Sequence, residues 1–151
     1  MKMSDTDKIK GRCLCGEIGF EYRGKVNWVL NCHCETCRRA TSSPMTTWIS
    51  VPNENFTILR GEPARFSSSP GVSRMFCATC GAQMSYENEK MPGEIHLYAA
   101  SLVDPNAVEP TCHVFEGEKL AWFEVHDALP RYSTTRMGGA VEPDHFGPRI
   151  G

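Results

Sequence analysis

The sequence contains no apolar stretch long enough to cross a bilayer, and its first twenty residues are interrupted by charges and lack an apolar run of signal-peptide length. A cytoplasmic protein is the expectation. Basic runs are equally scarce. None exceeds the pair Arg38-Arg39, and 16 basic against 18 acidic residues leave a formal net charge of -2. A nucleic-acid-binding face, which needs clustered Lys and Arg to meet phosphates, is therefore not indicated. Bulk disorder is not indicated either, because 40% of the 151 residues are hydrophobic, enough for the core of one ordinary domain.

Cysteine, by contrast, is abundant. Of eight, seven fall in tight groups: Cys13 with Cys15, Cys32 with Cys34 and Cys37, and Cys77 with Cys80; Cys112 stands alone. Cytosolic glutathione keeps ordinary thiols reduced, so such groups read as metal ligands rather than disulfides.

Along the chain, polar residues 1–10 read as a flexible arm, residues 11–133 as the zinc-binding domain, and the glycine- and proline-rich residues 134–151 as a poorly ordered tail. Within the domain the period is two. Ile18, Phe20 and Tyr22 alternate with Glu17, Gly19 and Glu21; Trp28, Leu30, Cys32 and Cys34 share one face of a second run. Further strand-like runs cover 45–51, 56–59, 64–66, 83–86, 94–100 and 111–115. Residues 35–41 allow a turn or two of helix with Cys37 in its first turn, where the dipole favours a thiolate. Serine-rich 67–73 reads as a flexible loop. Residues 119–132 read as irregular, with Trp122, Phe123, Val125 and Leu129 as core anchors. The fold class is mainly β.

Cys77-Ala78-Thr79-Cys80-Gly81 has the form of a zinc knuckle, whose turn points two sulfurs inward and whose closing glycine takes backbone angles that other residues resist. The simplest partition joins Cys13 and Cys15 to Cys77 and Cys80 in a closed four-sulfur structural site. Cys32, Cys34 and Cys37 would then hold a second ion one ligand short, and an open position marks catalytic rather than structural zinc. Other assignments stand beside this one. His33, His113 or Cys112 could close the second site, or the triplet could belong to the structural ion. Alternation places His33 on the face opposite Cys32 and Cys34, and Cys112 also reads as a small buried hydrophobe. His33-Cys34-Glu35 has the H-x-E form of zinc deaminases, but Phe76 stands where their second motif has proline, and five cysteines would go unexplained.

Taken together, Gly11-Arg12-Cys13-Leu14-Cys15-Gly16, Cys32-His33-Cys34-Glu35-Thr36-Cys37-Arg38-Arg39, Phe76-Cys77-Ala78-Thr79-Cys80-Gly81 and Cys112-His113-Val114-Phe115 with Lys119 and Trp122 resemble the glutathione-dependent formaldehyde-activating enzyme family, which also includes vertebrate centromere protein V. The resemblance runs from about Gly11 to Tyr132. It implies a β-tent fold of stacked antiparallel sheets stabilised by zinc. It also implies two zinc ions per chain, a structural one on Cys13, Cys15, Cys77 and Cys80 and a catalytic one on Cys32, Cys34 and Cys37. The implied activity is of the carbon–sulfur lyase type, adding the thiol of glutathione to formaldehyde to form S-hydroxymethylglutathione. On that reading Arg38, Arg39, Arg74 and Lys119 are candidates for glutathione's carboxylates, and His113 is a candidate proton donor. Three thiolates would leave the zinc complex at -1, and Arg38 and Arg39 are the nearest cations in sequence. The alternative is a non-catalytic protein-binding module in which both ions are structural.

Overall fold

The computed structural model describes residues 7–135. Residues 1–6 of the expected arm and 136–151 of the expected tail lie outside the described residues. Strands β1 (Lys8–Arg12), β2 (Gly19–Arg23) and β3 (Trp28–Cys32) lead into the helix α1 (Glu35–Thr41), the one α-helix among the described residues. There follow β4 (Thr46–Pro52), β5 (Phe56–Arg60), β6 (Ala64–Ser69), β7 (Val72–Phe76), β8 (Ser85–Asn88), β9 (Glu94–Tyr98) and the two-residue β10 (His113–Val114). Among the described residues no helix is long and apolar enough to cross a membrane.

The strands form two sheets, one of order β1-β2-β5 and one of order β10-β3-β4-β9-β8-β7-β6, antiparallel except where β10 runs parallel to β3. Their common core follows from the period of two. Phe20 and Tyr22 of β2 meet Val29, Ile49, Val51, Met75, Ile95 and Leu97 of the larger sheet in one buried cluster. The alternate residues of that sheet face away from this core. Cys32, Trp48, Val72, Tyr86 and Tyr98 gather there with Cys34, Cys37, Cys112, Val114 and Phe115 in a second cluster. Fully burying an aromatic or large aliphatic side chain contributes about 1.5–3 kcal/mol, so both faces hold the sheet in place.

The sequence reading needs three corrections. Lys8, Ile9 and Lys10 belong to β1, paired with Arg23, Tyr22 and Glu21, and not to a loose arm. The serine-rich stretch is a hairpin rather than a flexible loop: β6 runs to Ser69, β7 begins at Val72, and Gly71 turns the corner at φ 77°. Serine carries no hydrophobic signature, so ladder pairing there is invisible to periodicity. Trp122 is 75% exposed and is no core anchor, whereas Phe123, Val125 and Leu129 are half-buried.

Candidate metal centres

Cys13, Cys15, Cys77 and Cys80 bring their sulfurs within 4.8 Å of one another, although Cys15 and Cys77 are far apart in the chain. Two left-handed glycines make this possible, Gly16 at φ 83° after the first pair and Gly81 at φ 77° after the second. Backbone N–H groups converge on the cluster. Ile18 donates to Cys13 Sγ at 3.2 Å, and the N–H groups of Cys15 and Ala82 draw the Cys80 thiol down to about 6. The sulfur spacings are 3.6 Å for Cys13 to Cys15 and 3.8 Å for Cys15 to Cys77. A zinc ion bonded to four sulfurs at about 2.3 Å sets tetrahedral edges of about 3.8 Å, so donor type, number and spacing all fit zinc.

Cys32, Cys34 and Cys37 form the second group, all buried. Cys32 ends β3, Cys34 caps α1 by accepting from the Cys37 N–H at 3.3 Å, and Cys37 lies in the first turn. Cys34 Sγ is 2.9 Å and Cys32 Sγ 3.5 Å from Cys37 Sγ. Hydrogen bonding with Cys32 and Cys34 holds the Cys37 thiol well below its ordinary pKa; the Trp48 indole N–H, 3.4 Å from Cys37 Sγ, and the Arg74 charge act the same way. The soft donor set fits zinc. Among the described residues no fourth Cys, His or carboxylate joins these three within 4.8 Å.

The residues proposed from sequence to serve this centre are placed as follows. His33 turns away from the cysteines: its Nε2 lies 2.8 Å from His113 Nδ1, and His113 Nε2 lies 2.9 Å from Asp127 Oδ2. The Asp127 carboxylate accepts the His113 Nε2–H, which leaves His113 Nδ1 to accept from His33 Nε2–H, so one carboxylate sets both tautomers. Burial pushes His33 below the ordinary imidazole range, against the pull of Glu116. His113 is therefore grouped with His33 and Glu116 and not with the three cysteines. Arg38 donates to the Glu118 carbonyl at 3.2 Å, Arg39 pairs with Glu35 at 3.0 Å, and Lys119 pairs with Glu124 at 2.6 Å. Of the four candidate cations, Arg74 is the one whose charge acts on Cys37. Cys112 is buried in the same apolar cluster but outside the trio of sulfurs.

Sequence reasoning missed the aromatic wall. Trp48, Tyr86 and Tyr98 meet because β4 pairs with β9 and β9 with β8, with Trp48 opposite Tyr98 and Tyr86 opposite His96. The Trp48 and Tyr98 ring centroids are 4.1 Å apart. Alternation could have placed Trp48 on the face of Cys32 had the β3–β4 register been known. A cleft of about 640 Å³, lined by Arg12, Cys13, Leu14, Thr41, Gln83 and Tyr98 among others, touches that wall at Tyr98 but none of the three cysteines; its volume lies within the size range of small-molecule sites.

Comparisons with known proteins agree with the motifs. A family model described as glutathione-dependent formaldehyde-activating enzyme matches residues 8–118. An uncharacterized lyase of Schizosaccharomyces pombe is 32% identical over 93 residues, 60% of this chain and 67% of that protein. A crystal structure of a Rhodobacter sphaeroides protein has a TM-score of 0.54 over 67% of this chain and 96% of that one, at 22% identity, a likeness of fold alone. The family match spans well over half of the sequence and takes in all seven clustered cysteines, and the chain belongs to the glutathione-dependent formaldehyde-activating enzyme family.

Proposed function

We propose that this chain is a zinc-dependent enzyme of the carbon–sulfur lyase type, which joins a thiol, glutathione or a relative of it, to formaldehyde or another small aldehyde as an S-hydroxymethyl adduct. One observation carries this reading: three buried cysteines converge with no fourth ligand beside them among the described residues. Family membership and the lyase name of the Schizosaccharomyces pombe relative support the reaction class.

Cys32, Cys34 and Cys37 would hold the catalytic zinc, and Cys13, Cys15, Cys77 and Cys80 a structural one that clips the two sheets of a β-tent together. Zinc at the three-cysteine centre would supply acidity, turning a substrate thiol, only a few per cent ionised at neutral pH when free, into its thiolate. The remaining work falls to the chain. The buried Arg74 offsets the negative charge of three thiolates, and Trp48 donates to Cys37 and fixes its direction. The cleft beside Tyr98, with Leu14 and Val103 exposed among its lining, would take the body of the thiol only if the thiol end passes Tyr98 to reach the cysteines.

Cobalt substitution tests the reading. Glutathione, or another thiol, is expected to shift the cobalt–thiolate bands at millimolar concentration, and formaldehyde added to the pair is expected to be consumed. If no thiol moves the bands, the centre is closed to substrate and the protein is a zinc-stabilised binding module instead.

A further inference from the structure

Two buried polar groups beside the three-cysteine centre keep hydrogen-bonding capacity unused. Arg74, on β7, is 4% exposed; its Nε donates to Ser68 Oγ at 2.9 Å and its Cζ stands 4.9 Å from the centre of the Tyr86 ring, but Nη1 has no partner. Tyr98, on β9, is 7% exposed; its hydroxyl meets the Arg74 side chain but finds no acceptor for its own proton. The two meet through the aromatic wall: Arg74 lies over Tyr86, the Tyr86 and Trp48 ring centroids are 6.0 Å apart, those of Trp48 and Tyr98 4.1 Å, and Trp48 Nε1 is 3.4 Å from Cys37 Sγ. Interiors rarely leave a guanidinium N–H or a phenol O–H unpaired, and an unpaired donor in a native fold calls for a ligand, water or ion to complete it. Here two such donors converge next to the reactive sulfurs.

We propose that Arg74 Nη1 and the Tyr98 hydroxyl form the seat of the aldehyde oxygen, an inference that rests on the thiol–aldehyde reading of this centre. Shape selects the occupant. Arg74, Trp48, Tyr86, Tyr98 and Cys37 are all buried, which favours a one-carbon carbonyl over a peptide carboxylate with its backbone. As the thiolate sulfur bonds to the aldehyde carbon, the carbon–oxygen π bond breaks and its electron pair moves onto the oxygen. Arg74 and Tyr98 meet that developing alkoxide with two fixed donors, the arrangement that stabilises an oxyanion most strongly in a dry site. The oxygen takes the Tyr98 proton, and the proton that the thiol gave up restores the phenol. One thiol and one aldehyde thus become one adduct with nothing left over.

The test uses the zinc-loaded protein and the variants Tyr98→Phe, Arg74→Gln and Arg74→Lys, with zinc content and circular dichroism measured for each. Removing one oxyanion donor typically costs about 10²–10³ in kcat. Tyr98→Phe and Arg74→Gln are each expected to lose kcat on that scale while KM for the thiol stays within about threefold, and Arg74→Lys is expected to recover part of the loss. Formate gives a readout independent of turnover, because its single proton resonance should broaden in the presence of the wild type and not of Tyr98→Phe or Arg74→Gln. Should Arg74→Gln lose metal, Tyr98→Phe, which removes one oxygen and keeps the ring, carries the test alone. Metal-replete variants that keep kcat within twofold overturn the proposal. If the wild type makes no adduct with any thiol and aldehyde, the functional reading falls and formate decides: binding that depends on both residues upholds the oxyanion seat, and binding that ignores them removes it.

Discussion

The indole N–H of Trp48 is aimed at Cys37 Sγ across 3.4 Å, joining the middle of β4 to the first turn of α1. Hydrogen bonds to charged groups contribute about 1.5–3 kcal/mol, and sulfur is a weak acceptor, so the contact is worth about 1 kcal/mol. Trp48→Phe keeps an aromatic ring against Tyr98 and deletes the donor. The expected outcome is a roughly fivefold weaker second metal site, measured by chelator competition, with the first site unchanged.

Metal counting separates the two centres. The wild type is expected to bind two zinc ions per chain when purified without chelator. Cys32→Ser should retain one ion and a folded circular dichroism spectrum. Cys13→Ser should fold poorly, because a structural zinc contributes on the order of 10–16 kcal/mol in small metal-dependent peptides, against a typical domain stability of about 5–15 kcal/mol. A single ion in the wild type would overturn the two-centre assignment.

Glu94 gives an acid-side signature. Its Oε1 lies 2.8 Å from His96 Nε2, and this hydrogen bond holds the carboxyl below the ordinary glutamate range. A depressed carboxyl stabilises the fold fully above the unfolded pKa of about 4.3 and loses that stabilisation as pH falls through the lower folded value. The Tm gap between wild type and Glu94→Gln should therefore be largest at neutral pH and shrink towards pH 3. Taking the difference between the two proteins cancels any metal released by acid.

Arg39 stands out in the sequence beside Cys37, but in the structure it is 75% exposed at its side chain and paired with Glu35 one helical turn back. Exposed pairs of this kind contribute about 0.3–0.5 kcal/mol. Arg39→Ala should leave Tm nearly unmoved and KM for the thiol within twofold. A large rise in KM would show that Arg39 holds a substrate carboxylate.

Gly11 sits opposite Phe20 across β1 and β2, and a Cβ built there would lie 2.1 Å from the end of the Phe20 ring. Phe20 is fully buried and cannot swing aside. Overpacking of this kind costs about 1–3 kcal/mol. Gly11→Ala should lower Tm accordingly, and adding Phe20→Leu should recover part of that loss.

Much of this molecule is legible in its sequence because thiols able to hold a metal are constrained in spacing. The three cysteine groups, the glycine after each of the two outer pairs, and the alternation through Phe20 and Tyr22 or Leu30 and Cys32 all belong to short segments. Arg74 and Tyr98 are different. Arg74 is only one of four candidate cations in the sequence, with nothing there to rank it above Arg38 or Arg39, and Tyr98 resembles any strand aromatic. Only the long-range register through β7, β8, β9 and β4 brings them to Cys37, and register between distant strands leaves no local trace. Trp122 misleads for the opposite reason: hydrophobicity predicts burial in one direction only, and large apolar side chains are common on surfaces.

Ile49 faces the core with Val51 and Leu97, while its neighbour Trp48 faces the cysteine trio with Tyr98. The larger sheet is thus a partition one residue thick, and neighbouring positions along a strand answer to different demands. Substitutions at Trp48, Tyr86 or Tyr98 alter the surroundings of the cysteine trio, and substitutions at Ile49, Met75 or Leu97 alter the core between the sheets. Tolerance to substitution should therefore alternate residue by residue along β4, β7 and β9.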